Sequence, residues 1–202
     1  MEIELREERI AALAEYARVP IAFLVDRILE ASIERHGLGG IVLTERKLDV
    51  PFVKDYDAID GGNPSQWAEH FDLSKWGLIS AYSGGQRVGG IVIAFNTAGV
   101  SMLEGRADLA VLWDLRVRPE LRRHGIGAAL FQAAEKWAVG KGCRQLKVET
   151  QNINLAACKF YARQGCALGA INLFAYERFP GETQLLWYKQ LVLPQQRAGE
   201  RA

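Results

Sequence analysis

The sequence predicts an α/β fold, and three patterns along the chain support that prediction. Residues 76–82 and 87–95 have the composition of strands and flank the turn sequence Ser-Gly-Gly-Gln at 83–86, which predicts an antiparallel hairpin. Residues 109–117 have the length and apolar content of a central strand. After them, patterns typical of helices and strands alternate, so helices are expected to cover the sheet.

Apolar spacing and glycines place the elements that follow the central strand. In chain order they are a helix that begins at Ile126 and stops at Gly140, a strand at 145–150, a helix at 154–164 closed by Gly165, and strands at 167–176 and 183–192.

Residues 18–35 predict an extra N-terminal helix. Pro20 suits an early helical position, and an apolar face would be formed by Phe23, Leu24, Ile28 and Ala31. A strand is predicted at 41–44, and an irregular acidic loop follows at 55–62.

Composition narrows the function classes. The 25 Lys and Arg residues nearly balance the 24 Asp and Glu residues, so the long-range field expected of a nucleic-acid binder is absent. No stretch of about 18 apolar residues occurs, so neither a membrane span nor a signal peptide is expected. The cysteine spacing and the scattered histidines predict reduced cytoplasmic thiols and no metal site.

The expected division of the chain is an N-terminal helical extension (1–38), a main domain (39–194) and a polar tail (195–202).

The turn between the 109–117 strand and the next helix has the chemistry of a phosphate site. It spans residues 122–127 with the sequence Arg-Arg-His-Gly-Ile-Gly. The first main-chain amides of a helix are unpaired and attract anions, and glycines let a phosphate approach them. Arg122 and Arg123 could add charge-assisted hydrogen bonds. The alternative is ordinary helix packing beside two solvated arginines. The glycine spacing fits neither a P-loop nor a dinucleotide fingerprint, which argues against kinases and dehydrogenases.

Two motifs resemble those of a known enzyme superfamily. The pattern Val117-x-Pro119-x-x-Arg122-x-x-Gly125-Ile126-Gly127-x-x-Leu130 is similar to the acetyl-CoA signature of the GNAT acetyltransferases. The pattern Asn154-x-x-Ala157-x-x-x-Tyr161, followed by Gly165, resembles their second motif. Within the superfamily, residues 149–161 and 185–188 are most similar to streptothricin acetyltransferases.

The resemblance implies a mixed central sheet of six or seven strands, splayed between the fourth and fifth strands to admit acetyl-CoA. The main chain at Leu115 and Val117 would pair with the pantetheine amides. Asn154 would bind the cofactor arm, cap its helix, or do both. The residues implied to contact acetyl-CoA are Leu115, Val117, Arg122, Arg123, Gly125, Ile126, Gly127, Ala128, Asn154 and Tyr161. Residues 18–35 lie outside the signature. Three roles are open for them: packing, a homodimer contact and a substrate lid.

N-acetyl transfer, which the resemblance also implies, needs a base and an acid. An alkylammonium group with a pKa of about 10.4 must lose a proton before it attacks a thioester. Glu149 stands where several members of the superfamily carry a catalytic glutamate; otherwise it is a structural strand-end carboxylate. Asp114, in an apolar strand, would be a base or the partner of Arg116 or Arg118. Tyr161 would protonate the departing thiolate, or else serve as a core aromatic residue.

The expected acceptor is a small cationic primary amine, such as a streptothricin-like antibiotic. The acidic loop offers Asp55, Asp57 and Asp60 to a cation, and Trp67 adds an aromatic ring. A merely solvated loop is the alternative. Cys158 has no histidine near it in sequence, which predicts direct transfer in a ternary complex. A protein or peptide amine acetyltransferase, an acyl-CoA sensor without turnover, and a nucleotide-binding module are the other classes left open.

Overall fold

The computed structural model describes residues 2–193, which form a seven-stranded sheet, a separate two-stranded hairpin and four α-helices. The strands are β1 (Glu4–Glu8), β2 (Phe23–Glu34), β3 (Gly40–Lys54), β4 (Gly77–Ser83), β5 (Gln86–Phe95), β6 (Leu109–Val117), β7 (Gln145–Gln151), β8 (Ala167–Asn172) and β9 (Gln184–Gln190). The helices are α1 (Leu13–Tyr16), α2 (Trp67–His70), α3 (Ile126–Gly140) and α4 (Leu155–Arg163). The predicted tail at 195–202 lies outside the described residues.

The large sheet is mixed, as predicted. Its strand order is β1-β4-β5-β6-β7-β9-β8. β6 and β7 run parallel, whereas the other neighbouring pairs are antiparallel. The predicted β4–β5 hairpin is present, and α3 joins the two parallel strands, which is the connection that parallel strands require. Of the helices within residues 2–193, none combines the length and the apolar character needed to cross a membrane.

Both faces of the sheet are buried. Ile91 and Ile93 belong to one apolar cluster, together with Leu130 and Phe131 of α3. Val92, between the two isoleucines, belongs to the other cluster, which includes residues of α1 and α2. Since side chains alternate along a strand, a strand covered on both faces is apolar throughout, which explains the continuous apolar run in β5.

The predicted N-terminal helix is wrong. Phe23–Glu34 is strand β2, which pairs with β3 in a long hairpin. The ion pairs Arg27–Glu45 (2.8 Å) and Arg46–Glu30 (3.0 Å) link the two strands. The apolar residues that matched helical spacing also suit a strand, and pairing with a distant segment decides between the two structures.

Two further elements differ from the sequence prediction. The charged segment Glu4–Glu8 is an edge strand, held by an ion pair between Glu8 and Arg87 at 2.5 Å. Edge strands tolerate charged residues because one side of the strand faces solvent. The strand predicted at 167–176 ends at Asn172, so Tyr176 lies in the following loop.

Candidate active site

A cavity of about 870 Å³ lies where the fourth and fifth strands of the sheet, β6 and β7, separate. The two strands pair only from Leu109 to Leu112 on β6 and from Gln145 to Val148 on β7. At that point the pairing of β6 with β5 shifts by one residue, at Trp113. A bulge of this kind bends a strand and increases its twist. The splay that the resemblance implied is therefore present.

The predicted phosphate turn lines part of the cavity. Gly125 has φ 85° and directly precedes α3, in a backbone conformation that glycine adopts without steric cost. Arg123 also has positive φ and is exposed. Ile126 is an exception among the predicted contacts because its side chain is buried in the core. The predicted cofactor residues that line the cavity are Leu115, Val117, Arg122, Arg123, Gly125, Gly127, Ala128, Asn154 and Tyr161.

Arg122 secures this turn to the rest of the molecule. Its Nε donates to the carbonyl oxygen of Val117 at 3.1 Å, and a terminal nitrogen donates to that of Ala22 at 3.1 Å. Burial lowers the pKa of Arg122. In this arrangement Arg122 braces the turn, whereas Arg123 is left exposed at its surface.

Tyr161 lies on α4 and Asn154 directly precedes that helix, and both line the cavity. The Asn154 side chain accepts a hydrogen bond from the Ala157 amide at 3.1 Å, so its capping role is confirmed. The Tyr161 ring packs against Phe131 and Phe160. Burial, aided by the nearby Asp114, raises the pKa of Tyr161, so its hydroxyl stays neutral.

Glu149 lines the cavity and is surrounded by neutral donors. Tyr176 Oη donates to Oε1 at 2.6 Å, and Gln151 Nε2 donates to the same oxygen at 3.2 Å. Gln184 Nε2 donates to Oε2 at 2.6 Å. Among residues 2–193, no cationic side chain forms an ion pair with this carboxylate. Within the described part of the chain, this carboxylate is therefore held by hydrogen bonds and not by ion pairs.

Asp114 has the opposite environment. Arg116 donates to both of its oxygens, at 2.9 and 2.8 Å, and Tyr16 donates a further hydrogen bond. The Arg116 side chain is 0% exposed and also forms a forked pair with Asp57 at 3.0 and 3.1 Å. Burial alone would lower the pKa of Arg116, but hydrogen bonding to Asp114 raises it, so the guanidinium stays charged. The salt bridge considered for Asp114 is therefore present.

Of the four residues predicted to bind a cationic acceptor, the three aspartates of the acidic loop lie outside the cavity lining. Asp57 is committed to Arg116, and Asp55 accepts a hydrogen bond from the Asp57 amide at 3.1 Å. Neither they nor Asp60 line the cavity. Trp67 does line it, and packs against Trp76 and Trp113.

Sequence reasoning missed the groups that surround Glu149. Gln151 lies two residues away on β7, but Tyr176 and Gln184 are distant in sequence, and no motif marked them. Tyr56 stands within the acidic loop, and its hydroxyl donates to Gln151 Oε1 at 2.5 Å. Cys158 is buried, and burial raises the pKa of its thiol, so a reactive thiolate is disfavoured there.

The comparisons with known proteins agree on the family. The acetyltransferase (GNAT) family model matches residues 42–166. Streptothricin acetyltransferase A of Bacillus subtilis (strain 168) is 29% identical over 147 residues, which cover 72% of this chain and 77% of that protein. A streptothricin acetyltransferase of Escherichia coli is 37% identical over 84 residues, which cover 40% of this chain and 48% of that protein.

Solved structures share the fold. Nourseothricin acetyltransferase superposes with a TM-score of 0.73 at 22% identity, over 95% of this chain and 100% of that chain. A Bacillus anthracis str. Ames protein assigned as a streptothricin acetyltransferase, solved with acetyl coenzyme A, gives 0.72 at 23% identity, over 94% and 100%. With the family model matching more than half of the sequence, the chain belongs to the acetyltransferase (GNAT) family, and the predicted class of acyl-CoA-dependent N-acetyltransferase is confirmed.

Proposed function

We propose that the chain moves an acetyl group from acetyl-CoA to a primary amine of a small cationic acceptor, by direct attack in a ternary complex. One observation supports this most strongly: the Glu149 carboxylate, which has no ion-pair partner among residues 2–193, shares a cavity with the phosphate turn and with the neutral Tyr161 hydroxyl. A negative charge without a protein counterion attracts an ammonium group.

Two sets of residues that line the cavity would bind different parts of acetyl-CoA. The amides that begin α3, with Gly125 and Gly127, would hold the diphosphate of acetyl-CoA. The free edge of β6 at Leu115 and Val117 would pair with the pantetheine amides, which places the thioester near Tyr161. The relative solved with acetyl coenzyme A has the same fold, which supports this co-substrate.

The transfer then needs a base for the acceptor ammonium and an acid for the departing thiolate. Glu149 takes a proton from the acceptor ammonium, and the amine nitrogen attacks the thioester carbonyl carbon. As the tetrahedral intermediate collapses, the carbon–sulfur bond breaks and Tyr161 donates its proton to the thiolate of CoA. The amide nitrogen gives up its second proton, which restores Tyr161 by way of water, and Glu149 releases its proton to solvent.

The aromatic residues that line the cavity favour a cationic acceptor. Phe23, Tyr56, Trp67 and Trp113 line the same cavity as Glu149, and aromatic faces attract cations. The Bacillus subtilis and Escherichia coli relatives are streptothricin acetyltransferases, so we propose a streptothricin-like antibiotic amine as the acceptor and antibiotic resistance as the role. Three free, buried cysteines support a cytoplasmic location.

A free-thiol release assay tests this proposal. Acetyl-CoA is offered with streptothricin, an aminoglycoside, a polyamine and an amino-terminal peptide, and mass spectrometry locates the new acetyl group. We expect rapid release with streptothricin and an acetylated amine on the antibiotic. Acetyl-CoA binding without turnover on any amine would contradict the proposal and favour the sensor alternative. An acetylated enzyme trapped without acceptor would contradict direct transfer.

A further inference from the structure

We propose that Tyr176 is a positioning residue, and that its hydroxyl orients the Glu149 carboxylate toward the acceptor amine. The inference rests on the proposed function because it gives Glu149 the role of base. Tyr176 itself does not line the cavity, but its hydroxyl is hydrogen-bonded to Glu149 and Gln151, which both do.

The hydrogen bonds from Tyr56 through Gln151 and Tyr176 to Glu149 have definite donors and acceptors. Burial raises the pKa of Tyr56, so its hydroxyl keeps its proton and donates to Gln151 Oε1. Gln151 must then present its amide nitrogen on the other side. That nitrogen donates to Tyr176 Oη at 2.8 Å and to Glu149 Oε1 at 3.2 Å. Tyr176, already accepting from Gln151, therefore donates its own proton to Glu149.

One hydrogen-bond acceptor position on the Glu149 carboxylate is left for the substrate among the described residues. A carboxylate has about four acceptor positions, two on each oxygen. Oε1 accepts from Tyr176 and from Gln151, while Oε2 accepts from Gln184. Among residues 2–193 nothing else donates to Oε2, so its second position is free for the acceptor ammonium. Loss of the Tyr176 hydroxyl would let the carboxylate rotate and spoil that geometry.

The loop that carries Tyr176 is fixed to the hairpin. Lys54, at the end of β3, forms a partly buried ion pair with Glu182, and its ammonium lies 3.9 Å from the centre of the Phe179 ring. Within the loop, the Phe179 amide donates to the Tyr176 carbonyl oxygen at 3.1 Å. These contacts tie the loop that carries Tyr176 to the end of β3, and a positioning residue needs such support.

A double-mutant cycle tests the proposal. Tyr176→Phe removes only the hydroxyl, and we expect kcat to fall about tenfold with an unchanged KM for acetyl-CoA. In a Glu149→Gln background, the same change should have no further effect, because Tyr176 would act only through the carboxylate. The matched control is Tyr82→Phe, which removes a similar tyrosine–carboxylate hydrogen bond, to Glu8 at 3.0 Å, at the edge of the sheet. It should leave kcat unchanged.

The outcomes distinguish a failure of the positioning role alone from a failure of the proposed function. Full activity in Tyr176→Phe, or multiplicative losses in the double variant, would overturn the positioning role. If Glu149→Gln retained wild-type turnover, the assignment of the base under the proposed function would fail, and the positioning role with it. Rates are expressed per acetyl-CoA binding site, so a loss of folded enzyme cannot imitate either result.

Discussion

At the scale of single residues, the structure gives different surroundings to the two carboxylates that the sequence offered as bases, Glu149 and Asp114. Both were predicted as candidate bases, and both line the cavity. Arg116 neutralises Asp114, whereas Glu149 has neutral donors alone among the described residues. Spacing along the chain could not reveal this difference, because it depends on Tyr16, Asp57, Tyr176 and Gln184, all distant in sequence.

Substituting the two carboxylates should therefore have different effects. We expect Glu149→Gln to lower kcat by about 10²–10³-fold with little change in melting temperature. Asp114→Asn should instead lower the free energy of unfolding by about 3 kcal/mol, since it removes one partner of a buried guanidinium. Steady-state kinetics and thermal unfolding check both variants. The reverse pattern would make Asp114 the base.

Tyr161 gives a prediction that combines mutation and pH. Its raised pKa means that the hydroxyl keeps its proton as the pH rises through the ordinary tyrosine value of about 10. The ionisation of Tyr161 should therefore cause no loss of kcat up to a pH of about 10. Tyr161→Phe should lower kcat about 10²-fold at every pH, because it removes the proton donor to the thiolate. Kinetics over this pH range are the measurement; a variant with wild-type kcat would leave Tyr161 as a core aromatic residue only.

At the scale of elements, the sequence was sufficient to predict a helix or strand wherever the signal for it is local. The β4–β5 hairpin has its own turn sequence, and α3 and α4 have helical spacing that ends at glycines. It was insufficient where pairing is long-range. Residues 23–34 carry apolar residues compatible with either a helix or a strand, and only the partner strand β3 makes them a strand. The charged β1 gave no apolar signal, although it completes the sheet edge.

The phosphate turn is the element whose prediction is most directly testable. A Cβ on Gly125 would meet no atom within 4 Å, so Gly125→Ala is strained only through its positive φ, at a cost of roughly 1–2 kcal/mol. The methyl group would also stand at the start of α3, where we place the diphosphate. We expect acetyl-CoA affinity to fall about tenfold, as calorimetry would show.

Gly140→Ala is the matched control for this turn. Gly140 ends the same helix, and a Cβ there also has open space, with no positive φ to strain. It should leave acetyl-CoA affinity unchanged. Equal affinities for wild type and Gly125→Ala would contradict the predicted phosphate site.

At the scale of the whole molecule, one buried cation joins three parts of the chain. Arg116 on β6 pairs with Asp114 beside it, with Asp57 of the acidic loop, and with the Val19 carbonyl oxygen at 3.1 Å. Its guanidinium also lies 5.0 Å from the centre of the Tyr16 ring. The N-terminal segment, the sheet and the acidic loop thus meet at one residue. Asp57, predicted to bind the acceptor, contributes to this junction instead.

Arg116→Met should therefore destabilise the entire fold. It leaves two carboxylates without their cation, and breaking a buried pair in this way costs about 3–5 kcal/mol. Arg46→Met, which breaks an exposed pair with Glu30, should cost at most about 1 kcal/mol. Combining Arg116→Met with Asp57→Asn and Asp114→Asn removes all three charges and should recover part of the loss, because no charge is then buried alone. Denaturant unfolding of the four proteins measures these differences. If the triple variant were no more stable than Arg116→Met, hydrogen-bond geometry rather than unpaired charge would set the cost.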